Sequence, residues 1–108
     1  MTNQPLIEAL SHYCQEQGVE LIDVFSKTRK EPHRTMRHNI YFVLRMSFQM
    51  TYEAIADITT NEGDTPVNHA TVMHGVHKIE SHLIYDDTVN AMNELRQYLM
   101  DRVLMESE

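Results

Sequence analysis

The sequence predicts an all-α domain of about six helices built around a helix-turn-helix, and a few observations carry that expectation. Apolar residues recur at helical rather than alternating spacing, most clearly Val72, Val76, Ile79 and Leu83, which make one stripe on a helix of 3.6 residues per turn. Residues that start or stop helices stand at the ends of such stretches, among them Pro5, Gly18, Pro32, Thr51 and Asn68. No segment alternates as a strand would, and the chain has no internal repeat or low-complexity tract. With 108 residues and 42% hydrophobic content, residues 1–108 are read as one domain with a single core.

The first helix is expected over residues 5–17, with Pro5 in its first turn, Leu6, Leu10 and Tyr13 on one face and Gly18 as its stop. A short second helix follows over 21–25, then a loop over 26–32, because Pro32 lacks the N–H that a helix interior needs. The third helix starts at His33 or Arg34 and runs to about Phe48. Its contiguous Ile40, Tyr41, Phe42, Val43 and Leu44 cannot all face one way, so this helix should be central and buried on several sides. Thr51 caps a short helix over 51–57 with Ile55 and Ile58 a turn apart, an interruption spans 58–66, and Asn68 caps a longer helix to Leu83. Asp86 or Asp87 begins a last helix through Leu104, turning Val89, Met92, Leu95 or Leu99, and Val103 inward.

Residues 51–83 thus have the plan of a helix-turn-helix, in which the start of the second helix meets base edges in the major groove while the first braces it. With Val72, Val76 and Ile79 turned to the core, Asn68, His69, Ala70, Met73 and His74 are left for the outside. Each has a plainer alternative. Asn68 serves as cap, as base contact or as both; His69 is a DNA contact or a structural histidine; Thr71 bonds a phosphate or its own backbone; Met73 reads a base or packs.

A net charge of -7 is unusual for a DNA-binding protein, but the charge is unevenly spread. Residues 26–38 hold Lys27, Arg29, Lys30, Arg34 and Arg37 against Glu31 alone, whereas residues 1–26 have acids and no Lys or Arg. A basic loop leading into a helix start can bring cations and free N–H groups to a phosphate backbone. Acids more than about 8 Å away are largely screened at physiological salt.

Other function classes find less support. Cys14 is the sole cysteine, which precludes an intramolecular disulfide and suits a reducing compartment. The start of the chain has no basic region and its apolar runs are too short for a membrane span, so a cytoplasmic, nucleoid-associated location is expected. His74 and His77 share a helix face without further ligands at metal spacing, and residues 61–64 are too short for a calcium loop. No Gly-rich phosphate-binding motif or nucleophile motif occurs. No catalysis, metal, cofactor or nucleotide is expected.

The segment Val67-Asn-His-Ala-Thr-Val-Met-His-Gly-Val-His-Lys-Ile79 resembles the recognition-helix signature of the C-terminal DNA-binding domain of the bacterial replication initiator DnaA, a Trp-repressor-like helix-turn-helix. Asp23-Val-Phe-Ser-Lys-Thr-Arg29 resembles that family's basic loop, and Arg37 stands where the family begins its long third helix. Together these blocks lay residues 6–104 on the domain, without the ATPase domain of the initiator. The resemblance implies a minor-groove role for Arg29 and phosphate contacts for Arg37, His38 and Lys78. It implies a place for Met73 near a thymine methyl. It also puts Asn68 where the family has Asp, Ala70 where it has Ser or Thr, and a longer, acidic turn with Glu62 and Asp64 before Asn68.

The expected function is therefore sequence-selective binding of double-stranded DNA in replication control or transcription regulation. The alternative is a protein-interaction module of the same fold that has lost DNA binding, contacting replication or transcription proteins through its acidic faces.

Overall fold

A computed structural model describes residues 3–107 of the chain, with side chains for 3–105, so residues 1, 2 and 108 of the expected domain lie outside the described residues. The fold is all-α. Its helices are α1 (Gln4–Glu16), α2 (Leu21–Val24), α3 (His33–Met46), α4 (Tyr52–Gly63), α5 (His69–Ser81) and α6 (Asp86–Ser107), with no strand among the described residues. No helix there is long and apolar enough to cross a membrane.

Local chemistry sets most of the boundaries. Pro5 occupies the first turn of α1, and beyond its end Gly18 takes φ +81°, which lets Val19 N–H reach back to Cys14 O at 3.0 Å. The Thr51 hydroxyl accepts from Ala54 N–H at 3.1 Å and opens α4, and the Asn68 carbonyl oxygen accepts from Thr71 N–H at 3.0 Å and opens α5.

Helix α3 is the centre of the packing, lying chiefly against α5 and also against α2, α4 and α6, while α1 closes the other side of α6. Ile40, Tyr41, Val43 and Leu44 are all buried, as a helix enclosed on several sides requires. The close α3–α5 approach depends on Gly75: a Cβ there would lie 2.8 Å from Tyr41 Cδ2 and 2.9 Å from His38 Cδ2. Val72, Val76 and Ile79 fill the interface beside it.

Three expectations about extent are corrected. The helix expected to stop at Asp57 continues to Gly63, so the interruption over 58–66 shrinks to a short turn, and Glu62 belongs to α4 rather than to that turn. Burial of Ile58 and Thr59 outweighs the weak helix propensity of Thr59, Thr60 and Asn61, and the Thr59 hydroxyl bonds Ile55 O at 2.8 Å. Asp64, at φ 54°, then ends the helix in the left-handed conformation that Asp tolerates better than most residues. Helix α3 ends at Met46 instead of Phe48. The α5 stripe stops at Ile79, leaving Leu83 37% exposed, and Val89 is equally exposed, so the inward face of α6 begins at Met92.

Candidate nucleic-acid interface

The start of α5 is fixed by two short-range clasps. Asn68 Oδ1 accepts from both the Thr71 N–H and, at 3.3 Å, the Thr71 hydroxyl. Asn68 is therefore a cap, and the Thr71 hydroxyl bonds the cap, which is neither of the roles expected for it. One residue earlier, the Thr60 hydroxyl accepts from Val67 N–H at 2.9 Å and donates to Val67 O at 3.2 Å, tying the last residue before the cap to the end of α4. His69, Ala70 and His74 stand exposed on the outward face, with Met73 half-buried beside them.

The basic loop has an internal order that residue types explain. The Ser26 hydroxyl accepts from Thr28 N–H at 3.4 Å and the Thr28 hydroxyl from Lys30 N–H at 3.2 Å, the two-residue-on bonds typical of hydroxyl residues in turns. Because hydroxyls and cations alternate, Ser26 and Thr28 sit half-buried while Lys27 and Arg29 are exposed.

Arg37 holds this loop to α3. Its Nη1 donates to Val24 O at 3.0 Å and Ser26 O at 2.7 Å, and its Nη2 to Thr28 O at 3.0 Å. Most of the five guanidinium N–H donors thus face loop carbonyls, an inward role beyond the phosphate contact that the resemblance implies. Glu31 is also otherwise engaged: it accepts from the Thr35 N–H and hydroxyl at the start of α3 and lies 3.4 Å from Arg34. The Thr35 hydroxyl foremost, with Arg34 adding to it, keeps the Glu31 carboxyl below its usual range. It acts as a helix cap more than as a diluent of the loop.

Loop, α3 and α5 enclose one cleft of about 480 Å³. Lys27, Arg29, Arg34, Arg37 and Lys78 line it together with Ser26, His38, Tyr41, Asn68 and Thr71, and among the described residues no carboxylate does. Lys30 is exposed outside it, and His69, Ala70, Met73 and His74 face outward from α5. The field in the cleft is visible in His38. Burial, and then the neighbouring Arg37, Lys78 and Arg34, push its pKa from 6.5 down to about 4. It is therefore neutral at pH 6 in the free protein.

Tyr41 was legible only as core, yet it belongs to the wall of the cleft. The residue is 1% exposed, and its hydroxyl has no hydrogen-bond partner. Thr59 lies near enough to influence it, but the Thr59 hydroxyl is turned to Ile55 O. Burial raises the Tyr41 pKa, so the phenol stays protonated. The signal was present in the spacing: Arg34, His38 and Tyr41 fall four and three residues apart on one helical face.

Cys14 is fully buried, and burial with a contribution from Glu20 drives its thiol up to about 12, which suits packing and not nucleophilic chemistry. Among the described residues no three His, Cys, Asp or Glu side chains are placed to hold a metal ion. No family model, curated protein or solved structure matches the chain.

Proposed function

We propose that this chain binds double-stranded DNA with sequence selectivity, laying the start of α5 in the major groove and the basic loop at the adjacent minor groove. The observation that carries the reading is the convergence of the loop cations and the α5 N-terminus on one cleft that no carboxylate of the described residues lines. In this reading His69, Ala70, Met73 and His74 face base edges, Arg29 enters the minor groove, and Lys27, Lys30, Arg34 and Lys78 meet phosphates. Arg37 holds the loop that presents Arg29. The arrangement resembles what the DnaA C-terminal domain would need, which favours a role in replication control or transcription regulation.

Selection of bound sequences from a random duplex library tests this directly. A defined consensus is expected. Its affinity should fall with salt with a log–log slope of about -3 to -5, as displacement of counterions from that many phosphate contacts requires. Arg29→Ala combined with His69→Ala should abolish specific binding with helical content unchanged, because both side chains are exposed. A second reading, a protein-interaction module, draws on the exposed apolar corner between α5 and α6, where Ile84 is 80% and Tyr85 58% exposed. Absence of duplex binding at low salt would favour it.

A further inference from the structure

The cleft holds more uncompensated charge than its own residues can explain. Lys27, Arg29 and Lys78 come from two separate elements, and none has a hydrogen bond or ion pair to its side-chain nitrogens among the described residues. Arg34 makes one contact to Glu31, and Arg37 meets only carbonyl dipoles. Cations gathered with no carboxylate of the described residues among them repel one another, and Arg37, Lys78 and Arg34 add to the burial that lowers the His38 pKa in the wall. Tyr41, 1% exposed, closes the wall of the cleft beside these cations with an apolar ring face.

Size narrows the partner. A volume of about 480 Å³ lies within the range of small-molecule sites, roughly 300–1,000 Å³, and exceeds what a single small anion fills. Each terminal phosphate group carries about -1.5 to -2 near neutral pH, so two linked phosphates balance the three unpaired cations. We propose that the cleft is a binding site for a free polyphosphate, a small molecule with two or three linked phosphate groups, held by Lys27, Arg29 and Lys78 with Arg34 at the rim. The chain lacks a Gly-rich phosphate loop; side-chain cations from the loop and α5 take that part. Such a ligand occupies the ground that a duplex strand would need, so it competes with DNA. The competition rests on the proposed DNA binding, whereas the polyphosphate site does not.

The test is a titration of the full chain, isotope-labelled for amide NMR, with pyrophosphate and tripolyphosphate, and with orthophosphate and sulfate at matched ionic strength. Saturable shifts confined to residues 26–30, 34–41, 67–71 and 75–79 are expected, with pyrophosphate tighter than orthophosphate by about tenfold, the equivalent of one additional charge-assisted hydrogen bond. Lys27→Gln with Lys78→Gln, both at exposed positions, should weaken pyrophosphate at least tenfold while the melting temperature holds. Shifts that do not saturate, that are equal for all the anions, or that persist unchanged in the double variant overturn the site. A selected duplex added last separates the two readings. Pyrophosphate binding without duplex binding keeps the site and removes the DNA reading. Duplex binding without pyrophosphate binding removes only this inference.

Discussion

The cations of the cleft and those of the rest of the body are treated differently by the fold. Arg45 lies 4.5 Å from the centre of the Tyr52 ring and donates to Met50 O, and Arg102 lies 4.7 Å from the centre of the Tyr98 ring, which itself meets Tyr13 edge-on. These guanidinium groups are used in packing, each over an aromatic face that stabilises it. In the cleft, Lys27, Arg29 and Lys78 have no such partner among the described residues, while Arg34 meets Glu31 and Arg37 is spread over three loop carbonyls. Counting charges over the whole chain therefore misleads. A protein of net charge -7 can still offer an anion a concentrated positive surface, provided its acids lie outside the cleft, as those of the described residues do.

The contrast can be broken most severely from beneath. Val76 is fully buried under α3, and Val76→Asp strands a charge in the interface that both halves share. A loss of about 3 kcal/mol or more is expected, seen as collapse of the helical circular dichroism signal at room temperature. A smaller effect, confined to one side, is expected of Arg37→Ala. The carbonyls of Val24, Ser26 and Thr28 lose their donor, at a cost of about 1 to 3 kcal/mol, with amide exchange accelerated over residues 24–30 and unchanged in α1 and α6. Arg37→Lys should not restore the loop, because one ammonium cannot span three carbonyls as a planar fork does.

Asn68 sharpens the comparison at a single atom. Its Oδ1 is taken by the cap, which leaves the amide N–H donors for a base and suits adenine over cytosine; Asp would cap equally well but only accept. Asn68→Asp should move preference at one position of the selected site from adenine toward cytosine by about 1 kcal/mol, the low end for a base contact because only half of the amide is free. Identical consensus sequences from both proteins would leave Asn68 as a cap alone.

The smallest expected effect is a pH dependence. The unfolded chain takes up the His38 proton near 6.5 and the folded chain near about 4, so between those values the unfolded state holds more protons and acidification destabilises the fold. The decline in melting temperature from pH 6.5 to about 5, above most carboxylate titration, should be weaker in His38→Gln. An unchanged decline would assign it to other groups.

Much of the scaffold was legible because its signals are local. Pro5 marks a helix start through its fixed φ and missing N–H, Thr51 and Asn68 through bonds to their own neighbours, and the Val72, Val76 and Ile79 stripe needs only the helical repeat to declare its face. The continuation of α4 was not, since Thr59, Thr60 and Asn61 favour a break and only burial against the core overrides them. The cleft divides in the same way. The cations of residues 27–37 were visible as a cluster, but which of them are free was not. Arg37 turns inward because a loop eleven residues away offers carbonyls at the right distance, and His38 is held neutral first by burial in the packed fold, then by Arg37 and by the Lys78 that α5 brings near. Neither distance is written in the order of residues along α3.

The Thr60–Val67 clasp changes what the turn before α5 means. A single hydroxyl satisfies both main-chain groups of Val67, so the origin of α5 is registered to the fixed end of α4 and not to the length of chain that joins them. The arc from Asp64 to Pro66 hangs outside that tie as a closed bow. Since closure entropy rises only by about 0.6 kcal/mol for each doubling of loop length, the bow is free to lengthen or shorten over generations while the helix it delivers keeps its phase, and with it the direction in which His69 and His74 look.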